Sequence, residues 1–120
     1  MTIVNCMPFT SLVQNNLSVV IDPDDGARIT SFIVRDSEIL TARDESPYNW
    51  GLYPMVPYAG RVRHATFSFN GMSYDLPVIT NGHALHGTVM HETWTLLDAT
   101  ESVAVFETSL GNDWPFQGTC

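Results

Sequence analysis

Apolar and polar residues alternate with a period of two along most of this chain. The pattern is sharpest where Ala65, Phe67 and Phe69 alternate with Thr66 and Ser68, and again where Met72, Tyr74 and Leu76 alternate with Ser73 and Asp75. Successive strand side chains point to opposite faces, so each run presents one apolar face. Asn70-Gly71 stands between them, a pair that accepts the positive φ angles of a two-residue type I′ turn. The spacing predicts a hairpin over 65–76. A second hairpin, with a wider loop, is predicted from the β-branched run 17–21 and the strand-like stretch 27–35, which flank Asp22-Pro23-Asp24-Asp25-Gly26. A third joins 93–97 to 103–108 across a polar break at 98–102. No window of a dozen residues carries a 3.6-residue apolar stripe, so almost no helix is expected. The fold class that follows is all-β, an antiparallel β-sandwich or part of one.

Two stretches escape the alternation. Residues 46–60, SPYNWGLYPMVPYAG, hold three prolines and four aromatic residues, too many breakers for a central strand and too much apolar surface for a solvated linker. Residues 78–91, VITNGHALHGTVMH, gather three of the four histidines around two glycines. Irregular segments of this kind, set between good strands, are where a β-scaffold keeps a functional site. No internal repeat, low-complexity tract or linker divides the chain.

Composition narrows the partners. The 120 residues are 44% hydrophobic and 15% charged, as in a globular domain. Thirteen acidic residues against five basic ones, all arginine (Arg28, Arg35, Arg43, Arg61, Arg63), give a formal charge of −8. A nucleic acid or an anionic membrane surface would repel such a chain. Small neutral molecules and proteins remain. Residues 1–16 contain no cation and are interrupted by Asn5 and Pro8, unlike a signal peptide. Cys6 and Cys120 lie at opposite ends, a spacing that makes neither a disulfide framework nor a CxxC site, so a cytoplasmic setting is expected.

His83, His86 and His91 invite a metal reading, since imidazole is a common ligand. Strand alternation would put 83 and 86 on opposite faces, and His91-Glu92 lacks the second histidine of a zincin motif. No metal site is expected. His64 and His91 read as surface or hydrogen-bonded turn residues. There is no Gly-x-Ser-x-Gly elbow and no glycine-rich phosphate loop. What remains is acid–base or sugar-binding chemistry built from imidazole, guanidinium and aromatic faces. Arg61 reads either as a strand-edge cation paired with a carboxylate or as a ligand-binding fork. Trp50, Tyr53 and Tyr58 read either as core beneath a long loop or as stacking faces. Trp94 reads as core.

The run PMVPYAGRVR at 54–63, then FSFNGMSYDL at 67–76, then His83-Ala84-Leu85-His86-Gly87 and Trp94 resembles, in order and spacing, the aldose 1-epimerase (galactose mutarotase) family. The opening strands with Gly26-Ala27-Arg28-Ile29, and Asp113-Trp114-Pro115-Phe116 near the end, are similar to that family too, so the resemblance covers nearly the whole chain. It implies a large antiparallel sandwich that interconverts the α and β anomers of a free aldose of the glucose or galactose type. A base takes the proton from the anomeric hydroxyl, an acid protonates the ring oxygen, and the opened sugar recloses on its other face; no cofactor or metal enters. The resemblance implies that Arg61 reaches sugar oxygens and that His86 lies against the sugar as a binding and catalytic group. Asn81 and His83 would be neighbours behind them.

Two departures bear on the substrate: Gly60 stands where the family usually has Asn before the arginine, and Thr88 where many members have a second glycine. Both suit diverse bacterial mutarotase-like branches better than dedicated galactose enzymes. The family's His-Pro-Tyr acid, late glutamate base and sugar-holding aspartate have no counterpart here. Residues 1–120 therefore read as the N-terminal portion of a single mutarotase-like sandwich, expected to be inactive and prone to aggregation alone. Two alternatives remain within sugar chemistry: a non-catalytic carbohydrate-binding module that keeps Arg61 and His86, and a hexose-6-phosphate 1-epimerase relative, for which the chain offers few cations. A histidine-rich β-barrel binding a metal is a remote third.

Overall fold

The structure, a computed structural model, describes residues 8–120. Cys6, and residues 1–7 of the segment compared with a signal peptide, lie outside those residues. Cys120 is an exposed free thiol. Among the described residues no helix is long and apolar enough to cross a membrane.

All the regular elements are antiparallel strands apart from one tight turn at Arg63–Ala65. Strands β1 (Thr10–Gln14), β2 (Leu17–Asp22), β3 (Arg28–Val34) and β4 (Ser37–Glu38) form one sheet in chain order. The hairpin expected from 17–21 and 27–35 is thus present as β2–β3, with a register shift after Val20. Alternation had not marked β1, which turns back through Asn15-Asn16 and pairs Leu12 with Val19. β5 (Arg61–Val62) pairs with β8 (Ala84–Leu85). The hairpin expected over 65–76 is β6 (Thr66–Phe69) with β7 (Met72–Asp75). Its turn residues Asn70 and Gly71 both take positive φ, at 49° and 77°. Ala65, expected to open that strand, instead closes the preceding turn at φ 53°. β9 (Thr95–Ala99) and β10 (Ala104–Glu107) make the third hairpin.

These sheets enclose two small cores. The first gathers Ile21, Ala27, Val89 and Trp94, with Leu12, Val19, Ile29, Val56 and Phe106 packed around them. Trp94 is buried as expected, and its indole N–H donates to the Val89 carbonyl at 3.2 Å. The second gathers Ala65, Leu76 and Ala84 under Tyr58, Val62, Phe67 and Trp114. Phe67 stacks on both Tyr74 and Trp114, which draws the 66–75 hairpin against the 113–116 stretch. A radius of gyration of 16.4 Å, against about 13 Å for a compact chain of this length, fits two cores side by side.

Candidate functional site

Two stretches cross between these cores, and the candidate residues lie on the crossing. One runs from Val56, on the first core, to Val62, on the second; the other runs from Ala84, on the second, to Val89, on the first. They are tied by the two-residue β5–β8 ladder, which sets Arg61 opposite Leu85 and Val62 opposite Ala84. Beyond the ladder the Thr88 N–H donates to the Val56 carbonyl at 2.8 Å. Strand alternation cannot reveal so short a pairing, because two residues carry no period.

His86 follows β8 with φ at +59°, and Gly87 continues in the left-handed region at +79°. A Cβ on Gly87 would lie 2.0 Å from the Val56 carbonyl oxygen, so this turn admits only glycine without a backbone shift. Gly60 and His86 share two hydrogen bonds. The His86 N–H donates to the Gly60 carbonyl at 3.0 Å, and the Gly60 N–H donates to His86 Nδ1 at 3.1 Å. An imidazole nitrogen that accepts an N–H carries no proton, so the neutral ring holds its proton on Nε2. Burial lowers the His86 pKa, and the nearby Arg61 charge lowers it further, so the neutral form is favoured. The geometry makes His86 a hydrogen-bond donor through Nε2.

Arg61 is exposed, and no described carboxylate lies within salt-bridge distance of it. Of the two readings open in the sequence, the paired strand-edge cation is therefore not the arrangement found. The structure brings Arg61 and His86 onto one ladder. Tyr48 and Tyr53 flank the His86 ring, each with its centroid 6.1 Å away. The loop aromatics divide. Trp50 is buried and Tyr58 packs on Trp114, whereas Tyr53 faces His86. Behind the His86-Gly87 turn, Tyr48, Tyr58, Leu85, Thr88 and Met90 line a cavity of about 110 Å³. That is well short of the roughly 300 Å³ at which ligand pockets begin. Burial raises the Tyr58 phenol pKa, and Asp113 raises it further.

Arg28 holds the loop aromatics Trp50 and Tyr53, and sequence reasoning missed its part. The side chain is fully buried: Nε donates to Asp25 Oδ2 at 2.9 Å and Nη1 to the Trp50 carbonyl at 2.8 Å. Its guanidinium lies 4.4 Å from the Trp50 ring centroid and 4.6 Å from that of Tyr53. Nη2 has no hydrogen-bond partner, and the aromatic faces give its charge the compensation that oxygen atoms do not. The one signal in the sequence was a cation on a strand three residues after Asp25. His64 is an exposed turn residue whose Nε2 accepts from Arg63 Nε at 3.2 Å, in line with its expected role, and His91 is exposed. Among the described residues no three His, Cys, Asp or Glu side chains converge as metal ligands would. Asn81 lies at φ 48° in the turn before β8.

A family model for aldose 1-epimerase matches residues 10–120. Solved structures share the fold. A provisionally named aldose 1-epimerase of Escherichia coli K12 superposes with a TM-score of 0.73 at 22% identity, over 85% of this chain and 36% of that one. A galactose mutarotase related enzyme from Lactobacillus acidophilus gives 0.73 at 20% identity, over 92% and 36%. A galactose mutarotase-like protein from Lactobacillus casei ATCC 334 gives 0.75 at 15% identity, over 93% and 37%. The chain thus spans little more than a third of the length of these proteins. Among curated proteins none matches.

Proposed function

This chain belongs to the aldose 1-epimerase family, and from that premise we propose that it forms a sugar-recognising wall of a mutarotase-type site. Its substrate class is a free neutral aldose of the glucose or galactose type. The observation that carries the reading is the paired hydrogen bonding of Gly60 and His86, which fixes a proton on Nε2 beside the Arg61 guanidinium. Arg61 offers a fork of donors to sugar oxygens, and His86 adds one more. Tyr53 and Tyr48 supply apolar faces beside them.

Both groups donate, so both stabilise negative charge gathering on sugar oxygens as the ring opens. Neither removes the proton of the anomeric hydroxyl. A guanidinium has no acceptor to offer, and the unprotonated nitrogen of His86 is committed to Gly60. No described carboxylate stands within ion-pair distance of either group. In this reading Arg61 and His86 bind and orient the sugar, and neither serves as the base of the reaction. Residues 1–120 are expected to be one part of a single sandwich domain. Saturation-transfer NMR with D-galactose and D-glucose tests the reading, alongside polarimetry of α-galactose. Sugar signals respond to the wild-type chain, the response is lost in Arg61→Gln and His86→Phe, and anomerisation proceeds at the buffer rate. Absence of any response from the wild type overturns the recognition role. Anomerisation faster than buffer overturns the division of labour.

A further inference from the structure

β5 is two residues long, and its ladder with β8 sets Arg61 and Val62 opposite Leu85 and Ala84. Each end of this strand is closed by an imidazole. At the start, His86 Nδ1 accepts the Gly60 N–H; at the end, His83 Nδ1 accepts the His64 N–H at 2.9 Å. The chain leaves β5 through His64 and Ala65 at φ +56° and +53°, a left-handed path on which strand pairing ends. The exposed His64 N–H, turned off the ladder, takes no acceptor from the partner strand. His83 supplies one from its side chain, and its own backbone is fixed. Its N–H donates to the Thr80 carbonyl at 2.8 Å, and its carbonyl accepts from Ile79 at 2.9 Å and Thr80 at 3.1 Å. The imidazole stands on a closed turn.

We propose that His83 is a positioning residue for Arg61, acting with His86 as a pair of N–H acceptors that fix both ends of the strand on which the guanidinium is mounted. The inference rests on the reading of Arg61 as a sugar ligand, but the clamp is measurable without sugar. His83 meets His64 alone on this strand, through the backbone N–H and a ring contact at 5.7 Å, so its substitution acts on the sugar through Arg61.

Long-range proton–nitrogen NMR on the wild-type chain gives the first test: His83 carries its proton on Nε2 and none on Nδ1. A proton on Nδ1 overturns the proposal without any variant. The second test compares His83→Asn, whose amide oxygen can take the place of Nδ1, with His83→Phe, which keeps a ring and loses the acceptor. Loss of one such bond corresponds to about fivefold. His83→Phe speeds hydrogen exchange at the His64 amide about fivefold, shifts and broadens the Arg61 Nε–H signal, and weakens galactose binding by up to about fivefold. His83→Asn restores all three. Unchanged His64 exchange in His83→Phe overturns the clamp. Faster exchange with an unmoved Arg61 signal overturns the positioning role. Failure of the wild type to bind sugar removes the functional reading and leaves the clamp to be judged on His64 and Arg61.

Discussion

Gly87 and Gly82 form a natural pair for measuring what the turn beside His86 costs to disturb. Their φ angles are nearly equal, at +79° and +80°. An alanine at either position incurs the same left-handed penalty, about 1–2 kcal/mol. Their surroundings differ. A Cβ at Gly82 meets nothing within 4 Å, while one at Gly87 would sit 2.0 Å from the Val56 oxygen and 2.4 Å from its carbonyl carbon. Reaching a tolerable contact of 3.0 Å moves backbone by about an ångström, which breaks the 2.8 Å bond from Thr88 to Val56. Leaving the carbonyl without that donor costs about 1–3 kcal/mol. Gly87→Ala is therefore expected to be less stable than Gly82→Ala by about 1–3 kcal/mol, a large share of a total of about 5–15 kcal/mol. Urea unfolding followed by tryptophan fluorescence, with linear extrapolation, gives both values on one scale. Stabilities within about 0.5 kcal/mol of each other would refute the close approach and, with it, the rigidity assigned to the His86 turn.

Arg28→Met removes a buried guanidinium and strands the Trp50 carbonyl. It should cost about 3 kcal/mol, the low end for a broken buried pair because Asp25 is 30% exposed. Arg28→Lys should recover only part of that. An unfolding free energy for Arg28→Met within about 1 kcal/mol of wild type, from urea titration, would contradict the role given to the aromatic sandwich. Acid should act first through His86. Its folded pKa lies below 6.5, so its contribution is complete above pH 6.5 and declines as pH falls toward the lowered folded value. His86→Asn should flatten the loss across that window, and parallel curves for variant and wild type would show that His86 is not its source. Glu38, held at about 2 by the Ser31 hydroxyl and the Phe32 and Leu40 N–H groups, contributes above about pH 4.5 and loses that as pH falls through about 2. Glu38→Gln should therefore change only the acid end of the curve.

The three hairpins were legible because each is local. A turn pair such as Asn70-Gly71 and two runs of alternation suffice, and both sit within a dozen residues. The family was legible for a different reason: Arg61 and His86 lie in short motifs whose order can be read without knowing how they meet. What could not be read was the meeting itself. Gly60 and His86 are 26 residues apart and joined by a side-chain nitrogen, and His64 and His83 are 19 apart and joined in the same way. Hydrogen bonds between a side chain and a distant backbone N–H leave no period in the sequence. Arg28 was hidden by its class, since a buried cation is rare and its partners are aromatic faces from another loop.

The crossing of two stretches between two cores also orders the assembly of the molecule. Each hairpin closes over a turn of a few residues and can form without the others, whereas the Arg61–Leu85 pairing closes a loop that contains the whole of one hairpin. Loop closure opposes such a contact until the segments on either side are already collapsed. The β5–β8 ladder is accordingly expected to be a late product of folding, formed when Val56 and Val89 have joined one core and Val62 and Ala84 the other. Conditions that loosen the protein are expected to release it first, while the hairpins still stand.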